Sequence, residues 1–314
     1  MSDGAAQAAL EAGLLAEQKR VESKYFYDQR GSEIFEEITT LEEYYPTRTE
    51  RALLDRWSET LVERVRPRSV LELGAGSARK TRVLLGALER HVPGATYIPL
   101  DVSADFLAEV ADELRHEYPG LRIVPHAADF TAEIELDAPL ERPALVALLG
   151  STIGNFDVPG ALELLRHVVM IIEPRDHFLM GVDLRPGPNK SREELEAAYN
   201  DAHGVTAEFN LNILRVLNAR FGTDFDRSAF EHDAWYNDEE GRIEMHLRAA
   251  SPQRVRLPSG AVSEFGQGET LRTEISCKYD RPTVDALFSR VGLRMTDWLD
   301  CDGRYALAVG QAAR

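Results

Sequence analysis

The chain has 314 residues, enough to bury a large core, and length alone suggests two domains or one domain carrying a large insertion. Hydrophobic residues at 44% and charged residues at 28% exclude disordered, collagen-like and disulfide-scaffold classes. A formal net charge of -17 argues against a nucleic-acid partner, because proteins that grip a phosphate backbone gather Lys and Arg.

The two cysteines, Cys277 and Cys301, are too few for a secreted framework and lack metal-ligand spacing, which fits a cytoplasmic protein. Met1–Arg20 is alanine-rich and acidic, without the basic-then-apolar order of an export signal. The longest apolar runs, Pro143–Gly150 and His167–Ile172, fall far short of the roughly 20 residues that span a bilayer. They read as a buried strand and a helix face, and no membrane partner is expected.

In chain order, residues 7–23 and 32–43 carry helical spacing, and Asp28–Ser32 is a turn that caps the second helix. Pro46 reads as a break, after which Thr47–Arg66 regains a 3.6-residue period through Leu53, Leu54, Trp57 and Leu61. Short β-rich runs then alternate with helices: Ser69–Leu73, Thr81–Arg90, Tyr97–Asp101, Ala104–His116, Leu121–Pro125, Ala144–Gly150, Ala161–Ile172 and Phe178–Asp183. Such alternation predicts a parallel sheet with right-handed crossovers.

Arg185–Lys190 is a Pro/Gly-rich break. Helices are expected over Ser191–Asn200 and Val205–Phe221, strands over Arg242–Arg248 and Leu271–Tyr279, then a helix Pro282–Val291 and two final strands, Arg294–Leu299 and Tyr305–Val309. A seven-stranded sheet ending in an antiparallel hairpin resembles that of class I methyltransferases. The expected fold is therefore α/β, a Rossmann-like seven-stranded sheet with an inserted α+β substrate-binding lobe. The boundaries are 1–49, the N-terminal part of that lobe; 50–187, the S-adenosylmethionine-binding core; 188–278, the inserted lobe; and 279–314, the completion of the core.

The sharpest local signal is Val70-Leu-Glu-Leu-Gly74-Ala-Gly76-Ser-Ala-Arg-Lys80, an apolar strand running into a glycine turn that opens a helix. Glycines there let a ligand approach outward-pointing amides. The dinucleotide fingerprint wants a third glycine where this chain has Arg79, so a pyrophosphate binder fits poorly; Glu72, Gly74 and Gly76 suit a methionine-bearing nucleoside. Asp101, 27 residues beyond Gly74, ends the second β run where a carboxylate can accept ribose hydroxyls. Asp129 and Phe130 follow the third, placed for an adenine amino group and ring. Lys80 is either a surface lysine or the partner of the cofactor's carboxylate.

After the fourth β run comes Leu149-Gly150-Ser-Thr152-Ile-Gly154-Asn155-Phe156; the resemblance to class I methyltransferases, which place the groups next to the transferring methyl at that strand end, implies that Gly150, Thr152 and Asn155 line the reaction site, and the plain alternative is a small-residue loop with Asn155 as a helix cap. The Asn-Pro-Pro-aromatic pattern of base-methylating enzymes is absent, as are the hallmarks of zinc proteases, serine hydrolases and phosphate loops. No metal site is expected among the eight scattered histidines.

Several long strings are more specific. Phe26-Tyr-Asp, Leu41-Glu-Glu-Tyr-Tyr-Pro-Thr-Arg-Thr-Glu50, Glu72-Leu-Gly-x-Gly76, Lys80-Thr-Arg82, Leu149 to Asn155, Gly204-Val-Thr-Ala-x-Phe-Asn210, Arg242-Ile-Glu-Met245 and Glu274-Ile-Ser-Cys-Lys278 closely resemble the L-histidine Nα-methyltransferases of ergothioneine biosynthesis, the EgtD family. The resemblance runs in order along almost the whole chain. It implies a monomer that converts histidine to hercynine with three S-adenosylmethionines. Carried over by motif, it assigns cofactor contacts to Tyr27, Gly74, Lys80, Asp101, Asp129 and Phe130, and substrate contacts to Tyr44, Asn155, Tyr199, Met245, Glu274 and Ser276.

In that assignment Asn155 and Tyr199 donate to the substrate carboxylate. Glu274 and Ser276, two apart on one strand face, reach the imidazole, with Tyr44 at its other nitrogen. A glutamate accepting the ring N–H would select histidine. Tyr44, Tyr199 and Met245 also read as core residues, and Glu274 as a cross-strand partner of a cation. Ser77–Lys80 and Arg185–Lys190 match the family least well, and the second leaves Tyr199 the least secure alignment among the substrate residues. N-methylation of another aromatic amino acid, such as a tryptophan derivative, is the alternative within this chemistry; a nicotinamide oxidoreductase and a non-catalytic nucleoside-binding module are the alternatives outside it.

Overall fold

The computed structural model describes Asp3–Ala313, which divide into two compact units. One is Pro46–Lys190 with Cys277–Arg314; the other is Met1–Tyr45 with Ser191–Ser276. The breaks fall after residues 45, 190 and 276, where the sequence suggested 49, 187 and 278.

The first unit is a doubly wound α/β sheet. Its strands lie in the order Leu293–Cys301, Tyr305–Ala312, His177–Asp183, Ala144–Leu148, Ser69–Leu73, Thr96–Asp101 and Arg122–Ile123, with His126–Ala127 also pairing Thr96–Asp101. The strands from His177–Asp183 to Arg122–Ile123 are parallel, whereas Tyr305–Ala312 runs antiparallel to both neighbours and closes the expected hairpin. Ser69–Leu73 and Ala144–Leu148 are buried at every residue, as strands must be when both sheet faces are covered; the second is wholly apolar, and the first buries Ser69 and Glu72 among its apolar residues.

Two cores flank this sheet. Leu53, Leu61, Leu84, Leu88, Val110 and Leu114 gather in one; Leu162, Leu165, Val168, Phe178, Val284 and Phe288 gather in the other. Chain order reverses between Ser69–Leu73 and Ala144–Leu148, where ligands of open α/β sheets bind beyond the strand C-termini. Those ends lead into Gly74 and Gly150.

Pro46 does not break the chain as its type suggested. The helix is Tyr45–Val65, and Pro46 sits in its first turn, where no intrahelical N–H is required. The strand expected over Leu121–Pro125 shrinks to Arg122–Ile123, and a second short strand, His126–Ala127, follows it. The Arg185–Lys190 segment is pinned, not loose: Lys190 and Lys278, both buried, each hold one oxygen of buried Asp183 at 2.8 Å.

The second unit packs helices Asp3–Leu14, Gln29–Ile38, Arg192–Ala197 and Val205–Phe221 with a sheet in the order Lys19–Arg20, Thr270–Cys277, Arg242–Ala249, Phe230–Asn237, plus the hairpin Gln253–Arg256 with Val262–Phe265. Phe26 stacks on Phe209 at 4.5 Å in a core with Ile34, Ile213, Leu217, Ile243 and Leu247. The Asp28 carboxylate accepts from Gly31 N at 2.8 Å and caps Gln29–Ile38.

Here the sequence reading needs correction. The helix expected over 7–23 stops at Leu14, because Lys19–Arg20 pairs in parallel with Leu271–Arg272. The helix expected over 32–43 ends at Ile38. Phe230–Asn237 and the short hairpin were not anticipated.

Candidate active site

At the switch point the sheet unit assembles its predicted residues from four strand ends. Gly74 and Gly76 have φ of +69° and +52°, a region that side-chain-bearing residues avoid. A Cβ on Gly74 would lie 3.2 Å from the Phe130 ring, so the two are in contact, whereas a Cβ on Gly76 would meet nothing within 4 Å. Asp101 secures the turn: Gly76 N donates to its Oδ2 at 3.0 Å and Ser103 N to its Oδ1 at 3.3 Å. A carboxylate offers about four acceptor positions, so lone pairs remain for a diol. The Asp129 Oδ1 accepts from Thr131 N at 2.9 Å, which fixes the carboxylate and directs Phe130 toward Gly74.

Glu72 does not face a ligand. It is buried, accepting from Thr81 Oγ1 at 2.7 Å and from the Tyr97 hydroxyl, and burial pushes its carboxyl up to about 7. Its work is to tie the strand to Thr81, which stands at the N-cap position of the helix Arg82–His91 without a side-chain cap. Lys80 stands just before that helix, and its ammonium pairs with Glu50 at 2.7 Å.

The loop after the fourth strand carries the predicted reaction-site residues. Gly150 has φ +79° and its N–H donates to both Glu50 oxygens, at 2.8 and 2.9 Å. Thr152 Oγ1 donates to Leu149 O at 2.8 Å, closing the turn, so this hydroxyl shapes the loop. Asn155 ends the short 3-10 helix Thr152–Asn155 and is half-buried; the cap of the following helix is Asp157, which accepts from Gly160 N. Asn155 is therefore not that helix's cap. Tyr279 supports the segment from below, donating to Ile153 O at 3.1 Å.

Within the other unit, Tyr199 OH donates to Ser276 Oγ at 2.9 Å, and the Tyr44 and Tyr199 rings meet edge to face at 6.3 Å. Glu274 lies two residues from Ser276 on the half-buried strand Thr270–Cys277. Met245 is buried on the neighbouring strand, its carbonyl accepting from Thr273 Oγ1 at 3.1 Å. Tyr27 is half-buried and packs edge to face on Phe35 and Phe209.

Two residues that support this cluster were not read from sequence. Asn210 Nδ2 donates to His232 Nδ1 at 2.8 Å, leaving the Nε2–H of a neutral ring to donate to the Tyr199 carbonyl at 2.8 Å. Burial holds the His232 pKa below its ordinary value, which keeps the ring neutral, while the two hydrogen bonds set its tautomer. Asn210 lay inside a matched string and was available as a signal. His232 was not, because its strand was missed.

Among the described residues no three His, Cys, Asp or Glu side chains are grouped as a metal ion requires, and no helix is long and apolar enough to cross a membrane.

Known proteins resemble this chain along almost its whole length. The family model for "Histidine-specific methyltransferase, SAM-dependent" matches residues 6–312. The histidine N-alpha-methyltransferase of Mycolicibacterium smegmatis is 40% identical over 313 residues, 98% of this chain and 96% of that protein. That of Mycobacterium tuberculosis is 39% identical over 95% of this chain and 92% of that protein. Ergothioneine biosynthesis protein 1 of Schizosaccharomyces pombe is 31% identical over 74% of this chain, which corresponds to 31% of that longer protein. With the glycine turn, the two strand-end carboxylates and the closing hairpin in place, the chain belongs to the histidine-specific, S-adenosylmethionine-dependent methyltransferases.

Proposed function

We propose that this protein methylates the α-amino group of L-histidine three times with S-adenosylmethionine, yielding hercynine, the first step of ergothioneine biosynthesis. The observation that carries the reading is the 40% identity, over 98% of the chain, to a histidine N-alpha-methyltransferase. The cofactor is supported by local fit: positive-φ glycines with open space at Gly76, a Phe130 ring against Gly74, and carboxylates at Asp101 and Asp129.

When bound, S-adenosylmethionine supplies an electrophilic methyl on a sulfonium, and in-line displacement there needs neither a metal nor a covalent nucleophile. The chain's own residues bind and orient. Asp101 accepts the ribose hydroxyls, Asp129 the adenine amino group, Phe130 packs the ring, and Lys80 and Tyr27 take the methionine end. Asn155 and Tyr199 donate to the histidine carboxylate, leaving its amine unencumbered to meet the methyl carbon. Glu274, Ser276 and Tyr44 hold the imidazole, and Met245 gives an apolar wall. Each transfer requires a neutral amine, so one proton leaves nitrogen per cycle until none remains. The protein is read as a cytoplasmic monomer acting without metal, with a free amino acid as its partner and neither nucleic acid nor membrane.

Mass spectrometry of the protein incubated with S-adenosylmethionine and L-histidine, tryptophan or histamine in separate tubes tests the reading. Three added methyls on histidine alone are expected. Methylation of tryptophan instead would move the imidazole assignment, and no methylated product from any tube would overturn the activity.

A further inference from the structure

Glu50 is a fully buried carboxylate in the helix Tyr45–Val65, outside every residue assigned above to cofactor or substrate. It collects donors from three other parts of the sheet unit. Gly150 N–H reaches both its oxygens at 2.8 and 2.9 Å, Tyr305 OH reaches Oε1 at 2.7 Å, and the Lys80 ammonium reaches Oε2 at 2.7 Å. The surroundings are shaped around it. A Cβ on Gly181 would lie 2.0 Å from Glu50 Oε1, and a Cβ on Gly150 would lie 2.7 Å from Lys80 Nζ. A charge with no exposure is costly unless every lone pair is engaged, and here four contacts engage it.

The exposures of the ion pair are unequal: the Glu50 side chain is 0% exposed, that of Lys80 23%. The Lys80 side chain thus keeps part of its surface outward while its ammonium spends one of three donors on Glu50, which leaves two for an incoming anion. Its four-carbon stem would otherwise sample many rotamers, and holding it before a ligand arrives removes that entropic cost from binding. The same carboxylate fixes the Gly150 amide and so the start of the loop that ends at Asn155.

We propose that Glu50 is a positioning residue that sets Lys80 and the Gly150 loop relative to one another, so that the cofactor's carboxylate meets a preset ammonium. This rests on the reading of Lys80 as the holder of that carboxylate. It deepens that reading by making Lys80 and Glu50 one unit.

Calorimetric titration of the full chain with S-adenosylhomocysteine tests it, using Glu50→Gln, Lys80→Met and the double variant. Losing a hydrogen bond to a charged group should weaken binding by about 10- to 100-fold in each single variant. The double variant should be no weaker than Lys80→Met by more than about twofold, because the two residues act through one contact. Because Gln keeps one oxygen to accept from Gly150 N–H, the loop that ends at Asn155 should hold in Glu50→Gln, and the KM for histidine at saturating cofactor should stay within about twofold, a split that general damage to the fold would not give. Full affinity in Lys80→Met would overturn the Lys80 reading itself. Weak binding by Lys80→Met with full affinity in Glu50→Gln would overturn only the role of Glu50, as would losses that multiply in the double variant. If Glu50→Gln does not fold, the thermal midpoint of ligand-free Lys80→Met decides: it should fall, because a buried carboxylate has lost its cation, and an unchanged midpoint overturns the pairing.

Discussion

Glu274 and Ser276 show what a strand's two-residue alternation provides at the scale of single side chains. Their spacing was readable from sequence, and Tyr199 OH on Ser276 Oγ puts one of the pair in a defined polar cluster. If Glu274 accepts the imidazole N–H, Glu274→Ala should raise the KM for histidine about 10- to 100-fold while S-adenosylhomocysteine affinity changes less than about twofold. Equal losses of both would show the residue to be misassigned. Glu72 teaches the opposite lesson. Its position before the glycine turn suggested a ligand contact, yet it points inward to Thr81 and Tyr97, because the side of a buried strand that a residue faces is decided by packing partners far along the chain. With its carboxyl raised from 4.5 to about 7, the folded protein keeps a proton that the unfolded chain has already released between those values. Stability therefore falls as pH rises through that window, and above pH 7 a penalty of about 3 kcal/mol persists. Glu72→Gln removes the titration while keeping one acceptor, so its thermal midpoint should gain several degrees on the parent between pH 5 and pH 8. A constant difference across that range would reject the assignment.

At the scale of elements, legibility tracked how local the cause of each element was. The strands Ser69–Leu73, Ala144–Leu148 and His177–Asp183 are short, mostly apolar runs and declare themselves. Phe230–Asn237 has only partial alternation, with three fully buried residues among exposed and half-buried ones, and exists because it pairs with Arg242–Ala249 along its whole length. Lys19–Arg20 is more extreme: two basic residues become a strand by pairing with Leu271–Arg272, some 250 positions away, and this truncates the helix that the preceding periodicity extended. His232 was lost to the reading for the same reason. The glycine turn was legible because its demand is local. Gly74 and Gly76 both hold positive φ, but only Gly74 abuts Phe130. Alanine at either should cost about 1–2 kcal/mol for the left-handed backbone. Gly74→Ala should cost more, since the Phe130 ring must give way, and it should also weaken S-adenosylhomocysteine further than Gly76→Ala does. Melting curves and titrations of the two variants side by side check this, and equal effects in both would mean that the Phe130 contact has no consequence.

At the scale of the whole molecule, each unit owns its core: the two clusters flanking the large sheet lie within one unit, and the cluster around Phe26 and Phe209 lies within the other. That division was legible because the Arg185–Lys190 break and the return to strand–helix order near residue 280 both mark the sequence, although nothing in it announced Asp183 with its two buried lysines. Charge acts across both units. With 53 acidic and 36 basic residues, the folded chain carries -17 at neutral pH, and compaction brings that excess together. The surface also carries ion pairs such as Arg82–Glu113 and Arg254–Glu264, each worth about 0–1 kcal/mol and screened by salt in the opposite sense. Net repulsion sums over the whole surface while such pairs are individually weak, so repulsion should prevail. Raising NaCl from about 20 to about 300 mM, which shortens the Debye length from roughly 20 Å to roughly 6 Å, should then raise the thermal midpoint at pH 8. Near the isoelectric point of about 5.0 the same salt step should have little effect or lower it, because the net charge is gone and only the pairs remain to be screened. A midpoint that falls with salt at pH 8 would mean that the surface pairs outweigh the excess negative charge.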